Sequence, residues 1–177
     1  AVSGKRAPDE GKVGGADALK RPAFPVLTTE QINLLRVYET DLADPPRMVI
    51  DFETIHQLYQ KYAGHELLPK SPEAEEQLHR RRPEQVLELM FRLRAREFYP
   101  KVQVIEDPTA MRRFRDNVHR TWIINSCATS ACHGGNEAGR LMLNNRRPNS
   151  DATVYTNYLI LDRFRIREAK GPELNPE

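Results

Sequence analysis

Three prolines in this chain stand where a helix would begin, at Ser71-Pro72, Arg82-Pro83 and Asp107-Pro108, and each is followed by apolar residues at helical spacing. Proline fixes φ near the helical value and lacks the amide hydrogen that the first helical residue leaves unpaired, so it opens helices and breaks them elsewhere. The punctuation therefore predicts helices over SPEAEEQLHR, RPEQVLELMFRLRAREF and DPTAMRRFRDNVHRTWII. In the second, Val86, Leu89 or Met90, and Leu93 line one face. In the third, Asp107 is the cap, and Met111, Phe114, Val118 and Trp122 form the buried stripe. Three further helices carry caps of other kinds. Thr28 with Gln31 makes a capping box ahead of Ile32, Leu35 and Val37 or Tyr38. Asp51 opens a helix that stops at Gly64, and Ser150 opens the last one. Only KVQVIE and RLML alternate as strands do. The fold class is mainly α.

The first 26 residues, AVSGKRAPDEGKVGGADALKRPAFPV, are rich in Gly, Pro, Ala and charge without a sustained apolar period, which predicts an extended N-terminal arm. A helical region over 27–104 and a second unit over 105–177 follow. The opening AVSGKRAPDE has the look of a chain whose signal peptide has been removed, and that predicts an exported, periplasmic or extracellular protein. Lys and Arg total 27 against 25 Asp and Glu, a net charge of +2. That balance is far from the basic surface that neutralising a nucleic-acid backbone requires. No apolar run approaches the roughly 20 residues of a membrane-spanning helix. No P-loop, nucleophile elbow, zinc-protease motif or paired-carboxylate arrangement is present, so an enzyme is not expected.

The chemistry concentrates in NSCATSACHGG, residues 125–135, which holds both cysteines of the chain and places His133 directly after the second. C-x-x-C-H is the attachment motif of c-type haem: two thiols reach the vinyl groups and the next imidazole reaches the iron. Here the spacing is C-x4-C-H. Five positions leave Cys127 and Cys132 about 140° apart on an ideal helix, so ATSA must loop outward to bring both to one porphyrin edge. Gly134 and Gly135 allow a close backbone approach or a sharp turn.

Other readings of the same residues stay open. A disulfide between Cys127 and Cys132 suits an exported chain but leaves His133 and the glycines without a role. Zinc wants about four ligands, which here means the two thiols, His133 and one distant histidine. An iron–sulfur cluster wants four thiolates and would have to be shared between subunits.

VHRTWIINSCATSACHGG together with SDATVYTNYLILDRFR resembles the haem-bearing segment of planctomycete-type c-type cytochromes, over about residues 107–166. The resemblance implies a small, mostly helical mono-haem domain, with haem c bound covalently at Cys127 and Cys132 and its iron held by His133. The widened spacing departs from the commonest pattern of such proteins.

His119 is the expected sixth ligand, since it lies on the helix that leads into the motif, beside the apolar Trp122 and Ile123; Met142 is the sulfur alternative. Met90 and Met111 read as core filler. Arg120, Arg140, Arg146 and Arg147 are within sequence reach of haem propionates. The expected function is electron transfer with redox partner proteins. The alternative is a structural or assembly subunit, self-associating through the N-terminal arm, in which haem or a disulfide staples the domain.

Overall fold

A computed structural model describes residues 25–68, 70–135 and 138–164, with the backbone only at 72–75. The expected arm lies outside the described residues up to position 24, as does the end of the expected second unit, 165–177. The described chain is mainly α. Its elements are α1 (Thr29–Tyr38), β1 (Met48–Val49), α2 (Phe52–Lys61), α3 (Pro72–His79), α4 (Pro83–Leu93), a 3₁₀ segment (Arg96–Lys101), β2 (Gln103–Val104), α5 (Thr109–Arg113), a π-helix (Phe114–Cys127) that continues α5, and α6 (Asp151–Arg163).

The caps act where the sequence puts them, with one exception. Thr28 accepts from the Gln31 amide at 3.3 Å and Gln31 accepts from the Thr28 amide at 3.0 Å, closing the capping box. Asp51 accepts from the Thr54 amide at 2.6 Å and Ser150 from the Thr153 amide at 3.2 Å. Gly64, at φ +86°, ends the turn after α2 in the left-handed region that glycine enters without strain. Asp107 is the exception. Helix α5 starts after Pro108, without a side-chain cap, because the Asp107 carboxylate is drawn into a tertiary ion network instead.

Two large cores and a smaller cluster of Ile123, Ala128 and Leu143 divide the described interior. The larger gathers Val37, Leu58, Leu78, Val86, Leu87, Met90 and Val102 between α2, α3, α4 and the 3₁₀ segment. Burying such a side chain contributes about 1.5–3 kcal/mol. The short antiparallel ladder pairs Met48 with Val104 and Val49 with Gln103, closing one side of this core. The second core joins Leu27 and Ile32 to Met111, Val154, Tyr155 and Leu159. Helix α1 thus gives Val37 to one core and Ile32 to the other. An ion network ties the same seam. Asp107 accepts from Arg36, Arg115 and Tyr155, while Arg36 and Arg115 also reach Asp151, all at 2.6–3.1 Å.

The π-helix alters the expected stripe. Its bonds run from residue i to i+5, and the wider turn moves the inward positions away from the 3.6-residue period. Met111 is buried and Phe114 half-buried as expected, but Val118 and Trp122 are 41% and 66% exposed. His119 and Ile123 take the inward positions instead, at 0% and 4% exposure. Among the described residues no helix is long and apolar enough to cross a membrane.

Candidate functional site

The π-helix ends at Cys127 and the chain coils tightly behind it. The His133 amide donates to the Cys127 carbonyl at 2.9 Å, and the Thr129 carbonyl accepts from the amides of Cys132 and Gly134 at 3.0 and 2.9 Å. Both thiols are free, Cys127 partly covered and Cys132 exposed. ATSA does not bulge out as one unit. Ala128 is buried against Ile123 and Leu143, Thr129 is half-buried, and Ser130 and Ala131 are exposed.

The glycines serve this coil. A Cβ on Gly134 would stand 2.0 Å from the Ala128 carbonyl oxygen, and one on Gly135 equally close to that of Ser130. The close approach that the glycines permit is therefore to the loop's own backbone.

Segment 141–145, which is neither helix nor strand, lies along the loop and grips it with alternate residues. The Leu141 carbonyl is 3.0 Å from His133 Nδ1, the Leu143 amide donates to the His133 carbonyl at 2.7 Å, and the Asn145 side-chain amide donates to the Ala128 carbonyl at 2.8 Å. A carbonyl oxygen can only accept, so His133 bears a hydrogen on Nδ1, and in the neutral ring Nε2 is then the nitrogen with the lone pair. Leu143 is buried, while Leu141 and Met142 are half-buried. Segment 141–145 is held from behind by Asn157 on α6. Its Oδ1 accepts from the Asn144 amide at 2.7 Å and its Nδ2 donates to the Asn144 carbonyl at 2.8 Å.

His119 sits at the far end of this chain of contacts. Its Nε2 is 3.0 Å from Asn157 Nδ2, which can only donate, so the Nε2 lone pair is occupied. Nδ1 is buried without a partner. Desolvation, with Arg115 and Arg120 adding repulsion, pushes its pKa down to about 4, so the ring is neutral. Ligation through Nε2 would require the Asn157 bond to break, and the described geometry gives His119 the part of a core histidine that braces α6.

The remaining candidates fall elsewhere. His56 and His79 form a stacked group with Phe52, whose ring centroid is 4.0 Å from that of His79, and His65 accepts from the Leu67 amide. Arg120 pairs with Asp116 at 3.1 Å, and Arg140, Arg146 and Arg147 are exposed. Among the described residues no three His, Cys, Asp or Glu gather where they could hold a metal ion by themselves.

Sequence reasoning passed over Asn144, Asn145 and Asn157. The signal for Asn157 was present in TVYTNYLIL, an amide at the centre of a helix of largely apolar and aromatic residues, where a buried polar group must find partners. Comparison with family models, with curated proteins and with solved structures finds no match to this chain.

Proposed function

We propose that the chain is an exported mono-haem c-type cytochrome that transfers electrons, with haem carried on Cys127 and Cys132 and iron taken by His133. The observation that carries this reading is the 3.0 Å contact between His133 Nδ1 and the Leu141 carbonyl. Histidines that bind metal characteristically give the other ring N–H to a carbonyl or carboxylate, which fixes the tautomer and the ring plane. His133 has that arrangement directly after the second of two unpaired thiols.

The residues fit the group in other respects. Each thiol can add its S–H across a vinyl group to leave a thioether, and both are accessible. Val118 and Trp122 lie four and five residues apart on the way to Cys127, one wide turn each, and so form an exposed apolar stripe leading to the thiol. A flat apolar ligand tethered at Cys127 offers that stripe a cover. Haem iron supplies a one-electron couple, and the protein's part is to set axial ligation, hydrogen bonding and burial around it. In this chain Leu141 would hold the plane of the His133 ring for the group, and the coil 127–134 would space the thiols.

The test is expression alongside a haem-attachment system, followed by a visible spectrum of the denatured protein in alkaline pyridine. A haem band that stays with the polypeptide, and that moves into acidified organic solvent when Cys127 and Cys132 are both replaced by Ala, is the expected result. A wild-type chain that carries no covalent haem overturns the proposal.

A further inference from the structure

We propose that Asn157 is the positioning residue of this site: by clamping both backbone groups of Asn144 it fixes segment 141–145, and through Leu141 it selects the His133 tautomer that leaves Nε2 as the ligating nitrogen. The assignment of Nε2 to iron rests on the haem reading; the effect of Asn157 on the ring does not.

The geometry forms one continuous path. Asn157 is 0% exposed and every hydrogen-bonding direction it uses is directed: Oδ1 to the Asn144 amide, Nδ2 to the Asn144 carbonyl and to His119 Nε2. The neighbours of Asn144 on either side, Leu143 and Asn145, hold the loop through the His133 and Ala128 carbonyls. Leu141, two residues before Leu143, meets the His133 ring. The partners alternate along the segment, Asn144 bonding to α6 and Leu141, Leu143 and Asn145 bonding to the loop, so the anchor at 144 holds 141, 143 and 145 against the loop. Segment 141–145 belongs to no sheet, and no ladder holds its register. The two bonds to Asn157 supply that register. His119 completes the anchor by engaging the remaining Nδ2 hydrogen, which fixes the amide's orientation.

A residue that merely stabilised α6 would not bias a ring two contacts away. The experiment therefore reads the ring. In the full chain without haem, long-range nitrogen–proton correlation spectra report which His133 nitrogen bears the proton. The wild type should show the Nδ1–H form. Asn157→Leu removes both clamping bonds at similar volume, and should lower the ratio of Nδ1–H to Nε2–H about fivefold, the size of one net hydrogen bond. Asn157→Asp keeps the shape and the acceptor but loses both donated bonds, and should give a smaller shift in the same direction if the Leu variant fails to fold. Val154→Ala is the control, since Val154 is buried in the same helix and touches neither Asn144 nor His133 by any hydrogen bond; it should destabilise the fold and leave the tautomer ratio alone. In the haem-loaded chain the Asn157 variants should move the midpoint potential while the pyridine spectrum still reports covalent haem. A folded Asn157→Leu or Asn157→Asp variant with the wild-type tautomer ratio overturns the assignment. A wild type that shows the Asn157 effect but takes up no haem keeps this inference and removes the cytochrome reading.

Discussion

Tyr155 donates its phenolic hydrogen to Asp107 Oδ1 at 2.8 Å, joining residues 48 positions apart at the seam between the two cores. The carboxylate is 11% exposed and also takes paired bonds from Arg36 and Arg115. Burial alone would raise its pKa, but the bonds from Arg115, Tyr155 and Arg36 outweigh burial and hold it below the ordinary carboxylate value. A depressed carboxyl pKa contributes stability above the unfolded value and loses it as pH falls through the folded one. The Asp107 contribution should therefore be intact at neutral pH, begin to fall near about pH 4, and be lost as pH drops through the lower folded value. Asp107→Asn leaves two largely buried arginines to share Asp151 alone. It should cost about 3 kcal/mol at pH 7, measured as a shift of the urea midpoint.

His119 makes a different pH signature. Its folded pKa is about 4 against an ordinary value near 6.5, so the unfolded chain binds the extra proton first. Stability should be full above about pH 6.5, fall as pH drops toward 4, and level off below, by at most about 3 kcal/mol. His119→Leu should abolish that slope in a pH series of denaturation curves. On the cytochrome reading it should also leave the identity of the iron ligands, read from the spectrum of the loaded chain, unchanged, because Nε2 is engaged by Asn157. A changed axial spectrum would return His119 to the iron.

The helices were legible wherever local rules governed them. Thr28, Asp51 and Ser150 cap as their residue types and spacings demand, and the apolar faces of α1, α2 and α4 follow the 3.6-residue period. Two things were not legible. Asp107 reads as a cap by its position, but its partners lie far away in sequence, and nothing local reveals Arg36 or Tyr155 as competitors. The stripe through Val118 and Trp122 assumed an α period, whereas the chain from Phe114 onward winds more widely and buries His119 and Ile123. The CATSACH motif was visible as a motif. The segment that orients His133 was visible only as RLML, an alternating run without a partner, because its anchor is a single amide one helix later in the chain.

Gly134→Ala should be far more damaging than its size suggests. The new Cβ would meet the Ala128 carbonyl oxygen at 2.0 Å and Asn145 Nδ2 at 2.7 Å, and the first of these is backbone that cannot rotate away. Relief requires the 127–134 coil to open, breaking the hydrogen bond that the His133 amide donates to the Cys127 carbonyl. A loss of about 2 kcal/mol or more is expected in thermal unfolding, as for other strained overpacking changes. On the cytochrome reading the yield of covalent haem should fall with it, since the coil sets the spacing of the thiols.

Trp122 is the single tryptophan of the chain and lies one wide turn before Cys127, 66% exposed. An exposed side chain with little packing contributes little to stability, so Trp122→Ala should change the unfolding free energy of the haem-free chain by less than about 0.5 kcal/mol. The same position makes its fluorescence a reporter for anything attached at Cys127. In the haem-free chain the emission should be that of an exposed indole, near its maximum in water. Covalent haem at Cys127 would place an absorbing group within a turn of the ring, and the emission of the loaded chain should be quenched nearly completely. Unquenched Trp122 emission in a chain shown by its denatured spectrum to carry covalent haem would mean that the cofactor lies away from this helix, and that Val118 and Trp122 form no part of its surroundings.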